Sequence, residues 1–221
     1  MPVPRTPPVS GDPSFNGRAA LLAAAWQELT ECGTAGLSLR AVARRAGVSH
    51  AAPKHHFGDR AGLLTALAVE GYQDLQARFQ TVLAAEVETD DHLGILGRTY
   101  LDFSLDRPEM FEVMFGTEPL DENNSELAFQ RRALFGLLGE TVAQGSSSPL
   151  STISAESLMT WAFIHGLVGI IKNGGLQRIT GGRTPEETTE LAKSLSDAFS
   201  SMLRSMTHPL TVGVPVSEHY R

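Results

Sequence analysis

Between Ser38 and Arg60 the chain places five cations (Arg40, Arg44, Arg45, Lys54, Arg60) and three histidines (His50, His55, His56) against one acid, Asp59. Guanidinium and ammonium groups at that density suit the holding of phosphate, and small or hydrogen-bonding side chains between them suit the reading of base edges. Three clustered histidines also raise metal ligation, but positions 50, 55 and 56 do not share one helix face, so no metal site is expected. Elsewhere the sequence has no nucleophile–base arrangement, phosphate loop or metal-ligand spacing, and the lone Cys32 stands beside Gly33 at a helix end. Neither an enzyme nor a bound cofactor is expected.

The whole chain, 221 residues at a formal charge of −7, points away from nucleic acid until the charges are located. Residues 1–60 hold seven Lys/Arg against four Asp/Glu, whereas residues 61–221 hold eleven against twenty-one. A basic head is therefore averaged with an acidic body. The apolar fraction of 42% is that of a folded chain with a sizeable core. The longest apolar run, Ala19 to Trp26, is far short of the roughly 18 residues that span a bilayer, so no membrane partner is expected. One cysteine excludes an intramolecular disulfide, and with no secretory signal visible the expected compartment is the cytoplasm.

The elements that must position the basic cluster are helical. Leu21, Leu22, Ala25, Trp26 and Leu29 recur at helical spacing until Gly33 and Gly36 stop them. Ser38 is placed to cap a short helix through Ala46, ended by Gly47, and Ser49 to cap a second short helix ending near Phe57. Val48 and Ala43 are expected to pack between the two, and His56 to pack beside Phe57. Asp59 then caps a long helix carrying Leu64, Leu67, Gly71, Leu75 and Phe79.

Further helices are expected over Leu93–Phe103, Leu127–Val142, 153–171 and Pro185–Met206, with a short apolar turn at Met110–Phe115 and no convincing strand. The helix at 153–171 is apolar nearly all round and should be buried on more than one side. The chain thus divides into a flexible, proline-rich leader at 1–13, a head at 14–60, a helical body at 61–206 and a loose tail at 207–221.

Two short helices about a glycine turn have the logic of a helix-turn-helix, in which the first braces on the phosphate backbone and the second enters the major groove. The run LSLRAVARRAGVSHAAPKHHFGDRAGLLTAL, residues 37–67, resembles the DNA-binding domain of TetR-family transcriptional regulators, in its AGVS turn, its HF ending and its G-D-R-x-x-L-L entry to the fourth helix. In the body, Trp161, His165 and Gly166 with the turn Arg107–Phe111 resemble the subgroup named for a W…HG motif.

The resemblance implies an all-α fold, a three-helix head joined by a long helix to a ligand-binding and dimerisation domain. It implies base or phosphate contacts from Ser38, Arg40, His50, Ala51, Lys54, His55 and Arg60. Lys54 stands where most relatives have a phosphate-contacting tyrosine, and Pro53 where leucine is common. It further implies a homodimer through helices near 153–172 and 185–206, and a palindromic double-stranded operator read by heads about 34–36 Å apart or a multiple of a DNA turn. Tyr100, Phe103, Met110, Met114, Phe129, Trp161 and His165 are the expected walls of a pocket for a small-molecule effector. The expected function is a ligand-relieved repressor. The alternatives are an activator, or a helical ligand-binding or protein-interaction module that does not bind DNA.

Overall fold

Ser38 begins the second helix as its position foretells, extended at φ −141° with its hydroxyl accepting the Ala41 N–H at 3.2 Å. The helix it opens, α2 (Leu39–Ala46), closes on Gly47, whose amide reaches back to Ala43 and Arg44. Gly47 sits at φ +67°, ψ +28°, a left-handed conformation that a Cβ disfavours. The chain is described at residues 13–85, 91–143, 152–205 and 214–215 of a computed structural model.

α1 (Pro13–Gly36), broken at Gly33, lies under α2. The next helix, α3 (Ala52–Phe57), starts later than the Ser49 cap predicts. Pro53 is the reason: with Ser49 as the cap, its missing N–H would fall where the first intrahelical bond belongs. Instead Ala52 closes a turn on the Ser49 carbonyl, His55 N–H donates to Ala51, and Pro53 lies in the first turn, where donors are unpaired in any helix. The side chain of Asp59 accepts the Gly62 N–H at 2.9 Å and opens α4 (Arg60–Ala85).

The body follows as α5 (His92–Asp106), α6 (Pro108–Phe115), α7 (Ser125–Val142), α8 (Ala155–Lys172), α9 (Gly175–Ile179) and α10 (Pro185–Ser205). Met110–Phe115, expected as a turn, is part of a true helix because Pro108 fits its first position. A two-residue antiparallel pairing of β1 (Thr152–Ile153) with β2 (Val214–Pro215) departs from the expected absence of strands. The leader, apart from Pro13, and the tail, apart from 214–215, lie outside the described residues.

The core is one contiguous cluster strung along α4. Leu63, Leu64 and Leu67 share this cluster with Leu21, Leu22, Leu29, Val42 and Phe57 of the head, while Leu75 and Phe79 belong to the body. A Cβ added at Gly71 would come within 2.6 Å of the sulfurs of both Met110 and Met114, so glycine sets the approach of α6 to α4. The phenol of Tyr72 fixes the same contact by donating to the Met114 carbonyl at 3.1 Å.

α8 departs from its expected burial. α8 buries Ser157, Thr160, Ile164, Leu167 and Val168, but leaves Leu158, Met159, Ala162, Gly166 and Ile170 exposed rather than burying several sides. α10 turns Thr188, Ala192, Ser196 and Ser200 inward onto α5, while Leu195, Ala198 and Met202 face out. Its apolar stripe thus points away from the core of its own chain. No helix of the described residues is long and apolar enough to cross a membrane.

Replacing Gly47 by Ala is expected to cost about 1 kcal/mol in urea unfolding, from the left-handed backbone alone, with Asn costing less. Equal midpoints for wild type and Gly47→Ala would show the turn to be unstrained.

Candidate nucleic-acid interface and ligand cavity

On the head, the surface formed by α2, the turn after it and α3 separates its residues cleanly by burial. Ala41, Val42, Ala43, Pro53 and Phe57 are buried, while Ser38, Arg40, Arg44, His50, Ala51, Lys54 and His55 are exposed. Val48, expected between the helices, is instead exposed on the turn, and only its amide is used, donating to the Ala43 carbonyl at 3.1 Å. His56 is half-buried, its ring centroid 6.2 Å from that of Phe57, as expected. No group of metal-ligating side chains occurs among the described residues.

Two of the five clustered cations hold the head together. Arg45 donates through Nε to Glu28 at 2.7 Å and pairs with Glu31, tying α2 to α1. The hydrogen bonds to Glu31 and Glu28 keep its guanidinium protonated well above the usual range. Arg60, expected to hold a phosphate, is turned inward. Its Nε donates to the Leu37 carbonyl (3.2 Å) and Nη2 to the Thr34 carbonyl (2.6 Å), while Nη1 meets Glu118 at 2.7 Å. The Arg60 partner holds the Glu118 carboxyl below its ordinary value. Arg40, Arg44 and Lys54 are in no ion pair among the described residues, so the exposed face stays cationic.

Of the seven expected pocket residues, Tyr100 and Trp161 line a cavity in the body. That cavity encloses about 560 Å³ between atoms, counting the solvent at its mouth, and lies among α4, α5, α7, α8 and α10. Its other walls include Phe79, Leu96, Leu134, Phe135, Phe163 and Phe199, with Thr160, Ser196 and Ser200. Phe103 is fully buried against the Arg78 guanidinium, Met110 and Met114 pack at Gly71, and Phe129 is 56% exposed. None of these four borders the cavity.

His165 stands one layer behind the wall. Its Nδ1 is 2.9 Å from the Tyr100 phenol oxygen, and its ring stacks on Trp161 at 4.9 Å and on Phe111 at 5.6 Å. Phe115 completes the group, 5.2 Å from His165 and 5.5 Å from Tyr72 of α4. An aromatic chain therefore runs from the cavity wall to α6, and the segment after α6 carries Glu118, the partner of Arg60. The sequence holds no local signal for Glu118 or for Ser196 and Phe199, since only folding brings these distant stretches to their partners.

Residues 21–67 match the family profile described as bacterial regulatory proteins, tetR family, and residues 93–199 match that of the tetracyclin repressor-like C-terminal domain. Over 125 residues the chain is 28% identical to the HTH-type transcriptional regulator BetI of Paraburkholderia phytofirmans, a match covering 48% of this chain and 64% of BetI. Over 96 residues it is 34% identical to the HTH-type transcriptional regulator Rv1816 of Mycobacterium tuberculosis, covering 41% of this chain and 40% of Rv1816. Each match thus spans less than two thirds of the curated relative's length. Among solved structures, a protein of unknown function from Rhodococcus sp. RHA1 superposes with a TM-score of 0.67 at 29% identity, over 90% of this chain and 98% of that one.

Burial, reinforced by the Lys172 charge, holds the His165 imidazole below its ordinary 6.5. The folded chain therefore takes up this proton less readily than the unfolded chain, so stability contributed by neutral His165 is present above the unfolded value and declines as pH falls through it. Melting temperature should fall more steeply between pH 7.5 and pH 5.5 for wild type than for His165→Phe. Parallel pH profiles would remove the histidine from this role.

Proposed function

The chain belongs to the TetR family of bacterial regulatory proteins, and on that footing we propose that it is a homodimeric, sequence-specific DNA-binding repressor whose operator affinity is lowered by a small-molecule effector. The observation that carries this reading is the division of labour among the clustered cations. Arg45 and Arg60 are committed to acids and carbonyls of the chain, while Arg40, Arg44 and Lys54 project from two short helices with His50 and His55 between them. That is the arrangement required of a brace and a reader: phosphate-seeking charge around small or neutral groups able to meet base edges.

In this reading Ser38, Arg40 and Lys54 engage phosphate, His50 and Ala51 meet base edges, and His55 reaches either. Lysine contacts phosphate as a point charge, so it fills the tyrosine's place without its directional hydroxyl. Arg60 acts through the scaffold, holding the end of α1 and the segment after α6 against the start of α4.

The outward apolar stripes of α8 and α10 support a two-fold dimer. Met159, Ala162, Gly166 and Ile170 recur at helical spacing on one, and Leu195, Ala198 and Met202 on the other. Nothing lies within 4 Å of a Cβ built at Gly166 or Gly169, which leaves room for a partner helix to approach closely. Contiguous exposed apolar surface of this kind marks an association face.

Relief by an effector needs only a ligand that prefers the conformation in which the two heads no longer match the operator. The aromatic chain from Tyr100 and Trp161 to α6, and the Glu118–Arg60 bond beyond it, provide a continuous packed route from cavity to head.

Fluorescence anisotropy on palindromes flanking the chain's own gene tests the DNA reading. Arg40→Ala and Lys54→Ala should each weaken binding and reduce the slope of log K against log salt by about one for every phosphate left unneutralised, thus about two per dimer. Arg60→Ala should leave that slope unchanged. Absence of salt-sensitive binding would sink the proposal. Sedimentation velocity tests the interface: Leu195→Glu and Met202→Glu should give folded monomers, and a dimer that survives both places the contact elsewhere.

A further inference from the structure

Taking the cavity as the effector site of the function proposed above, we propose that its ligand is uncharged, flat and largely apolar: a substituted or fused-ring aromatic bearing at most a neutral hydrogen-bonding group. Among the described residues, no lining side chain carries a formal charge. The charged groups on neighbouring turns of α5 and α10 are paired with each other, Arg98 with Asp197 and Arg204 with Asp91. Moving an ionised carboxylate, phosphate or ammonium into such a lining would strip its hydration with no counter-charge to replace it.

The hydroxyl groups on the walls do not change this. Thr160 donates to the Glu156 carbonyl at 2.7 Å, and Ser200 to the Asp91 carboxylate at 2.7 Å. The Tyr100 phenol is engaged with His165 at 2.9 Å. Burial raises the phenol above its ordinary value and lowers the imidazole below its own, so this pair stays neutral and offers a ligand no ionic partner.

Shape adds to polarity. Phe163 and Phe199 stack with ring centroids 4.0 Å apart and planes 9° from parallel, and Phe135 packs on Trp161 at 5.4 Å. Aromatic walls of this kind favour a flat, polarisable guest over a branched or globular one. Tyr100 can share one neutral hydrogen bond with such a guest and pass its displacement on to His165.

The test uses the full chain without DNA and N-phenyl-1-naphthylamine, a neutral aromatic that brightens in apolar surroundings. Its fluorescence should rise on binding, and methyl 1-naphthoate should displace it. The charged counterparts 1-naphthoate and 1-naphthylmethylammonium should need at least about tenfold higher concentration. Displacement by either charged compound as readily as by the ester would overturn the ligand class.

Position is read by energy transfer from Trp161 in a Trp26→Phe background, which leaves one tryptophan, in the wall. Thr160→Tyr should fill the slot and abolish both signals, with Leu138→Phe as a gentler second filling. Probe binding unchanged in both folded variants, or no binding to wild type, would overturn the proposal. Tight neutral binding with no effect on operator affinity would instead uphold the ligand class and defeat the effector reading.

Discussion

Head and body share one helix, and the packing of α4 governs what either can do. Its first residue, Arg60, gathers two carbonyls from the α1–α2 junction and the carboxylate of Glu118 from beyond α6. Over the next two turns the same helix lies in the head's core through Leu63, Leu64 and Leu67, and at Gly71 it admits the two methionines of α6. A helix of 26 residues with ten buried along its length cannot shift at one end without disturbing the other. The orientation of the recognition surface is therefore set by contacts inside the body as well as by the short helices that carry it.

Much of the head was legible because its instructions are local. Ser38 and Asp59 accept amides, and Gly47 donates to carbonyls, within a few residues, so spacing alone located α2 and the start of α4. Pro53 shows where local reading went astray: Ser49 has the chemistry of a cap, but the missing N–H downstream moved the helix start. The Arg60–Glu118 pair was hidden from the sequence for a different reason. A cation near a helix start looks the same whether it faces solvent or a carboxylate 58 residues away.

The cavity was the least legible part. Apolar residues at helical spacing announce a buried face without saying whether the space opposite is filled. Met110, Met114 and Phe103 fit a pocket as well as Phe135 or Phe199 did on sequence grounds, and only tertiary packing separates them. Likewise, the apolar spacing of α10 was plain, but its outward direction follows from the small residues Ala192, Ser196 and Ser200 that let α5 come close on the other side. The uneven charge of the chain, by contrast, was readable at once, and the structure sharpens it by removing Arg45 and Arg60 from the exposed total.

α8 and α10 each have two occupations. On one side they wall the cavity through Thr160, Trp161, Phe163, Ser196 and Phe199, and on the other they present the bare stripes that suit a second copy. Events on the two sides of such thin walls are coupled by mass action. In the proposed dimer, dilution that separates the copies would loosen the walls, and a molecule lodged between them would alter how the copies meet. On that proposal, the response of the cavity to an effector would depend on how much of the protein the cell makes.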